Sequence, residues 1–176
     1  MIRITYFFLV GLITFLWLLV RGIVSGKEIR WKREAKLLLV YICFIVVARF
    51  TFFPFSTVNG QIQPLVFDPV RVFPFRINWI PFINLLTYPT KGEILLNLIG
   101  NTAMFIPLGI VWPFVYKELN THRKVIAAGF GFSLCIELLQ LPFFDRVTDV
   151  DDLILNTAGF TIGYSIYLLV RKLRKR

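Results

Sequence analysis

Apolar residues fill five long blocks of this chain, and polar residues gather in the gaps between them. The blocks cover residues 4–20, 37–53, 95–116, 125–141 and 153–170. Each is long enough to cross a hydrocarbon core of about 30 Å at about 1.5 Å of rise per residue. The pattern predicts an all-α polytopic membrane protein, a bundle of five transmembrane helices. It forms one membrane domain over residues 1–176, with two spans in the amino-terminal part, 1–55. The first block is longer than a usual signal core, Arg21 follows it directly, and no small-x-small site comes close behind. It is therefore read as a permanent span.

Composition agrees. Hydrophobic residues make up 57% of the chain and charged residues 17%, against roughly half and a quarter in soluble domains. Cys43 and Cys135 both sit inside apolar blocks, where lone thiols behave as small hydrophobes rather than disulfide partners. His122 is the sole histidine, so no histidine-based metal site can be assembled, and the sequence names no cofactor.

The net charge of +10 would suit nucleic acid. Its placement points elsewhere. The basic residues lie in short segments beside apolar blocks, where anionic headgroups meet them, and no separate basic domain exists to hold nucleic acid. Membrane lipids are the expected partners. Fourteen Lys and Arg fall in the segments 21–36, 117–124 and 171–176, and five on the opposite side: Arg3, Arg71, Arg76, Lys91 and Arg146. The positive-inside bias places the amino terminus outside and the carboxyl terminus inside.

Residues 54–92 then form an external loop rich in aromatic residues and proline: Phe55, Phe67, Phe73, Phe75, Trp79, Phe82 and Tyr88, with Pro54, Pro64, Pro69, Pro74, Pro81 and Pro89. Its uncharged piece, INWIPFINLLTYPT, is too short and too broken by proline to span. Two readings stay open: an aromatic belt resting on headgroups, or a lid over an outward-facing cavity.

The polar residues inside the blocks carry the candidate chemistry. Gly129, Ser133, Glu137 and Gln140 share one face of the fourth helix by their spacing, and Asp152, Asn156, Gly159 and Gly163 share one face of the fifth. Gly159 and Gly163 form a GxxxG pair that admits a close neighbour, and with Gly129 and Ser133 on the fourth helix it predicts that helices three, four and five form one compact unit. Asn97 and Asn101 stand four apart in the third helix. With the orientation above, Asn97, Asn101, Glu137, Gln140, Asp149, Asp152 and Asn156 all lie near the outer surface, and Arg49 lies at the same depth in the second helix. An acid inside a span is costly and marks function. Each residue also has a structural reading. Asp149 suits a helix N-cap, with Asp152 its capping-box partner, and Asp151 suits the helix dipole. The asparagines suit interhelical hydrogen bonds. Arg49 suits snorkelling or pairing with Glu137.

Three motifs bear a resemblance to a known family. They are NLIGNTAMFIPLGIVWP, SLCIELLQLPFFDRVTDVDDLILNTAGFTIGY and INWIPFIN. Together, over residues 76–164, they resemble the VanZ-like family. The resemblance implies a small multi-pass protein of the bacterial plasma membrane, and a link to resistance against teicoplanin, a lipid-tailed glycopeptide that binds cell-wall precursors outside the cell. It carries over to Asn97, Asn101, Pro107, Gly109, Ser133, Glu137, Gln140, Asp149, Asp152, Asn156 and Gly159. Arg49 lies outside it.

Three functions compete at this stage. One is an outer-leaflet protein that lowers sensitivity to lipoglycopeptides through a polar cavity for an amphiphile, the partner being a lipid-linked wall precursor or the lipoglycopeptide. Another is an intramembrane enzyme on an envelope lipid, with Glu137 as general acid or base and Asp152 as a second catalytic candidate able to hold a hard cation such as Mg²⁺. The last is a helix-packing scaffold for another membrane protein. No Walker, GxGxxG or GxSxG motif is present.

Overall fold

The structure is a computed structural model that describes residues 1–25, 31–53, 57–70, 72–83 and 90–174. Among the described residues there are five helices: α1 (Tyr6–Ser25), α2 (Trp31–Phe52), α3 (Lys91–Val115), α4 (His122–Gln140) and α5 (Val150–Leu173). Four of them, α1, α2, α3 and α5, are long and apolar enough to cross a membrane. α4 falls outside that set; its 19 residues include Arg123, Lys124 and Glu137. The all-α expectation needs one addition. Four short strands are present among the described residues: β1 (Ile2–Ile4), β2 (Leu65–Phe67), β3 (Ile77–Asn78) and β4 (Thr148–Asp149). Two or three residues each are too few to leave a period in the sequence.

The described residues fall into two compact units. The division cuts the 54–92 loop between Phe73 and Pro74. Of the loop residues singled out above, Pro54, Phe55, Arg71, Tyr88 and Pro89 lie outside the described residues.

The first unit comprises residues 1–73 and 142–145. Thr14, Trp17 and Arg21 recur every three or four residues, so they share one face of α1. That face meets α2 at three heights. Thr14 Oγ1 and Tyr41 Oη lie 2.6 Å apart. Trp17 stacks at an angle against Tyr41, with ring centroids 5.7 Å apart. Arg21 Nε donates to Glu34 Oε2 at 3.0 Å. β1 pairs antiparallel with β2, Arg3 opposite Val66. The 142–145 segment joins through the Phe144 N–H, which donates to the Val66 carbonyl at 3.0 Å.

The second unit comprises residues 74–141 and 146–176. α5 packs most closely on α3, and glycine explains how. A Cβ on Gly159 would fall on the Thr102 carbonyl, one on Gly163 on the Ile106 carbonyl, and one on Gly109 on the Phe160 carbonyl. Backbone therefore rests on backbone, the arrangement that favours association between membrane helices. The close neighbour that the GxxxG pair admits is therefore α3. The ridge runs along α3, while α4 meets α5 through Gly129, whose Cβ would come within 2.9 Å of the Phe160 side chain. Phe105, Leu108, Val125 and Phe160 are wholly buried among the three helices. Trp112 extends that core, its ring 5.3 Å from Phe160 and 5.4 Å from Phe132. The outward faces stay apolar, with Leu95, Leu96, Ile99, Leu138, Leu139 and Leu169 exposed. Such a surface suits lipid rather than water.

Candidate functional site

One end of the second unit holds its polar residues. The amino-terminal turns of α3 bring Asn97 and Asn101, the last turns of α4 bring Glu137 and Gln140, and α5 opens with Asp149, Asp151, Asp152 and Asn156. The α4 face predicted from spacing is the buried one: Gly129, Ser133, Glu137 and Gln140 all point inward. A carboxyl group and a carboxamide buried this way need hydrogen-bond partners, since nothing else offsets their lost hydration.

Glu137 and Asp149 form the centre. The Asp149 backbone N–H donates to Glu137 Oε2 at 3.0 Å. Just before it, Thr148 Oγ1 donates to the Glu137 carbonyl at 3.0 Å. Glu137 thus fixes where the chain turns into α5. Asp149 is the N-cap predicted from sequence, its Oδ1 accepting the Asp151 N–H at 2.9 Å. Asp152 is not its capping partner, which corrects the capping-box expectation. Asp152 Oδ1 accepts instead from Asn101 Nδ2 of α3. Deeper along the α4–α5 seam, Asn156 Nδ2 donates to Ser133 Oγ at 3.0 Å. Ser133 is four residues before Glu137 and Asn156 four after Asp152, so this pair lies about 6 Å of rise below the acids.

A strand closes the end. β3 pairs parallel with β4, Ile77 beside Thr148 and Asn78 beside Asp149. The Thr148 N–H donates to the Arg76 carbonyl at 3.0 Å. Asn78 Nδ2 donates to Asp149 Oδ1 at 3.0 Å, and the Phe82 N–H donates to Asp151 Oδ1 at 2.7 Å. Phe82 adopts φ +61°, a left-handed turn uncommon for an aromatic residue. The turn directs its N–H at the buried Asp151 carboxyl.

The candidate residues therefore divide. Asn101, Glu137, Asp149, Asp152 and Asn156 are joined by the bonds above. Gln140 is buried and Asn97 half-buried in the same unit, each engaged with neighbours. Arg49 belongs to the first unit, where Nη1 donates to the Phe53 carbonyl at 3.3 Å and the guanidinium lies 5.4 Å from the Phe50 ring centroid. Among the described residues, no group of three histidine, cysteine or acidic side chains has metal-holding geometry. Sequence reasoning passed over Asn78 and underrated Asp151. The signal for Asn78 lay in the INWIPF motif, whose asparagine side chain and phenylalanine N–H donate to Asp149 and Asp151. Asp151 gave no signal, because its acceptor role depends on a backbone N–H 69 residues away.

The sequence profile of VanZ/LLP1 matches residues 38–171. The chain belongs to the VanZ/LLP1 family. The match begins within α2, so it takes in Arg49 and reaches beyond the 76–164 motifs. Protein VanZ of Enterococcus faecium is 32% identical over 90 residues, covering 51% of this chain and 55% of that protein. The uncharacterized membrane protein YwnJ of Bacillus subtilis (strain 168) is 28% identical over 83 residues, covering 47% of this chain and 56% of that one. The chain thus spans about half the length of the curated relatives it matches. No solved structure matches.

Proposed function

We propose that this VanZ/LLP1 protein lowers sensitivity to lipoglycopeptide antibiotics of the teicoplanin type, by binding the polar head of an amphiphile at the outer leaflet of a bacterial plasma membrane. The chain crosses five times, with the amino terminus outside and the carboxyl terminus inside. α4 then spans as well, between α3 and α5 in chain order. Its 19 residues give about 28 Å of rise, Arg123 and Lys124 stand at its cytoplasmic end, and Glu137 is satisfied inside the unit rather than by lipid. The binding residues are Asn97, Asn101, Glu137, Gln140, Asp149, Asp152 and Asn156. The ligand is an envelope lipid, a lipid-linked wall precursor or the lipoglycopeptide itself.

One observation carries this reading: carboxyl and carboxamide groups from α3, α4 and α5 converge at a single end of the unit, with β3 laid across the start of α5. Helices that needed only glue would use a few amides. Four acids gathered within the ends of apolar helices exceed that need. The test is teicoplanin susceptibility of a sensitive Gram-positive host that expresses the chain, beside its Glu137→Gln variant at equal membrane level. Raised resistance with the parent chain and none with the variant supports the reading. Equal resistance from both removes the polar end from the function.

A second reading, an enzyme acting on an envelope lipid, draws on the same buried Glu137 and Asp152. Its difficulty is the nucleophile. Ser133 already accepts from Asn156, and His122 stands eleven residues away on α4, about 16 Å along the helix. Turnover of a labelled envelope lipid by purified protein, lost in Glu137→Gln, would favour catalysis over binding.

A further inference from the structure

The turn that follows β3 shows its apolar side chains to the outside. Trp79 is 75% exposed, Ile80 59%, Phe82 45% and Ile83 41%. They are consecutive apart from Pro81, and no charged residue lies between Arg76 and Lys91. Large apolar side chains gathered on a surface mark a place that meets something other than water.

The N–H groups of the same turn are spent on the protein. The Ile80 N–H donates to Asn78 Oδ1 at 3.3 Å. Pro81 has no N–H. The Phe82 N–H donates to Asp151 Oδ1 at 2.7 Å, and the Ile83 N–H donates more loosely, at 3.5 Å, to the Ile80 carbonyl. Each backbone N–H from Ile80 to Ile83 therefore has an acceptor inside the second unit. An open N–H holds a loop in water, because leaving water forfeits its hydrogen bond. This turn is largely released from that constraint. The left-handed φ of Phe82 makes the arrangement possible: its N–H turns in to Asp151 while its ring stays half-exposed.

Position decides what the turn meets. β3 pairs beside Asp149, the cap of α5, and Asp151 stands in the first turn of that helix. The turn thus sits at the end of a helix apolar and long enough to cross a membrane. The exposed Leu95, Leu96 and Ile99 of α3 lie at the same end, before Asn101 and its bond to Asp152. Tryptophan suits that boundary, with an apolar ring for the hydrocarbon and an indole N–H for the headgroups. A protein partner is a poorer fit, since four side chains fall far short of the roughly 20–30 residues that a stable interface takes from each side.

We infer that the Trp79–Ile83 turn inserts into the leaflet at the polar end of the second unit, its side chains at the boundary of headgroups and acyl chains. The partner is the lipid surface itself. Two bonds hold the turn in register with α5, from Asn78 Nδ2 to Asp149 and from the Phe82 N–H to Asp151. The inserted turn thereby sets the height at which these acids meet the headgroups. The inference holds whether or not the polar end takes a ligand, and whichever face of the membrane that end occupies.

The experiment places the full chain in vesicles of phosphatidylcholine and phosphatidylglycerol, with Cys43 and Cys135 replaced by serine and a nitroxide on Ile80→Cys. Oxygen concentrates in hydrocarbon and a neutral nickel chelate stays in water, so their relative collision rates with the nitroxide report depth. Oxygen should win several-fold at Ile80, as it should for a reference nitroxide on Leu96→Cys of α3. A nickel chelate that wins at Ile80 would place the turn in water and overturn the inference. Low rates for both would show the turn covered by protein, a second copy of the chain included, and would overturn it equally. A second measurement needs no label. The emission lost in Trp79→Phe isolates Trp79, and lipids brominated near the headgroup end of their chains should quench that component several-fold more than bromine near the chain ends. A Trp79 component that neither lipid quenches would overturn the inference on its own.

Discussion

The backbone N–H of Asp149 donates to the side chain of Glu137 at 3.0 Å, so an acid near the end of α4 holds the first residue of the α5 cap. This single bond ties the buried acid to local folding, beside the ligand-binding role proposed for it. The two roles separate by substitution. Glu137→Gln keeps an oxygen for that N–H, and unfolding in detergent should shift by less than about 1 kcal/mol. Glu137→Ala leaves the Asp149 N–H without its acceptor and should cost about 1–3 kcal/mol. Loss of resistance in Glu137→Gln without loss of stability would place the charge in function. Equal destabilisation by both would place it in packing.

The close approach of α3 and α5 predicts a graded response in glycine. Gly159→Ala puts a Cβ onto the Thr102 carbonyl, and neither backbone can yield without parting the helices. Overpacking of this kind costs about 1–3 kcal/mol, so the folded fraction after extraction should fall, and Gly159→Leu should lower it further. Gly131→Ala has open space around it and should be neutral. A normal melting temperature for Gly159→Leu would show that the helices do not need this contact.

Helix content and the inward face of α4 were legible because both depend on local spacing. Ser133, Glu137 and Gln140 recur at 4 and 3 residues, and that period alone turns them to one side. The Asp149 cap was legible for the same reason. The partner of the glycine ridge was not. Spacing reveals that Gly159 and Gly163 admit a close neighbour, but the choice of Thr102 and Ile106 over Gly129 is made by packing in three dimensions. The fate of Asp152 was decided likewise: a local cap competes with Asn101, 51 residues away, and the distant amide wins. The β3–β4 pair was invisible because two-residue strands carry no period, although the asparagine that ties them stood in a quoted motif.

The basic asymmetry predicts sidedness directly. With Cys43 and Cys135 replaced by serine, single cysteines at Asn59 and at Thr121 should label differently in intact cells. A membrane-impermeant maleimide should reach Asn59→Cys at once and Thr121→Cys only after permeabilisation. Labelling of Thr121→Cys from outside would overturn the five-span orientation. α4 is the deciding element here, since it carries the only helix-length stretch among the five that lacks the apolar character of the other four.

The strand pairing at the polar end predicts a clasp that can be loosened in steps. Asn78→Ala removes one donor from Asp149, which keeps the Asp151 N–H. The cost should be about 1 kcal/mol, and it should appear locally. The Thr148 amide, which donates to Arg76 across the same pair, should exchange with solvent several-fold faster. Asp151→Ala takes the acceptor from the Phe82 N–H at the far end of the clasp. Together the two changes should speed Thr148 exchange more than either alone, while amides in the middle of α3, held by Gly159 and Gly163, should stay protected. If exchange in mid-α3 rises in step with Thr148, the clasp is no separate element, and β3 folds and unfolds with the three helices as one body.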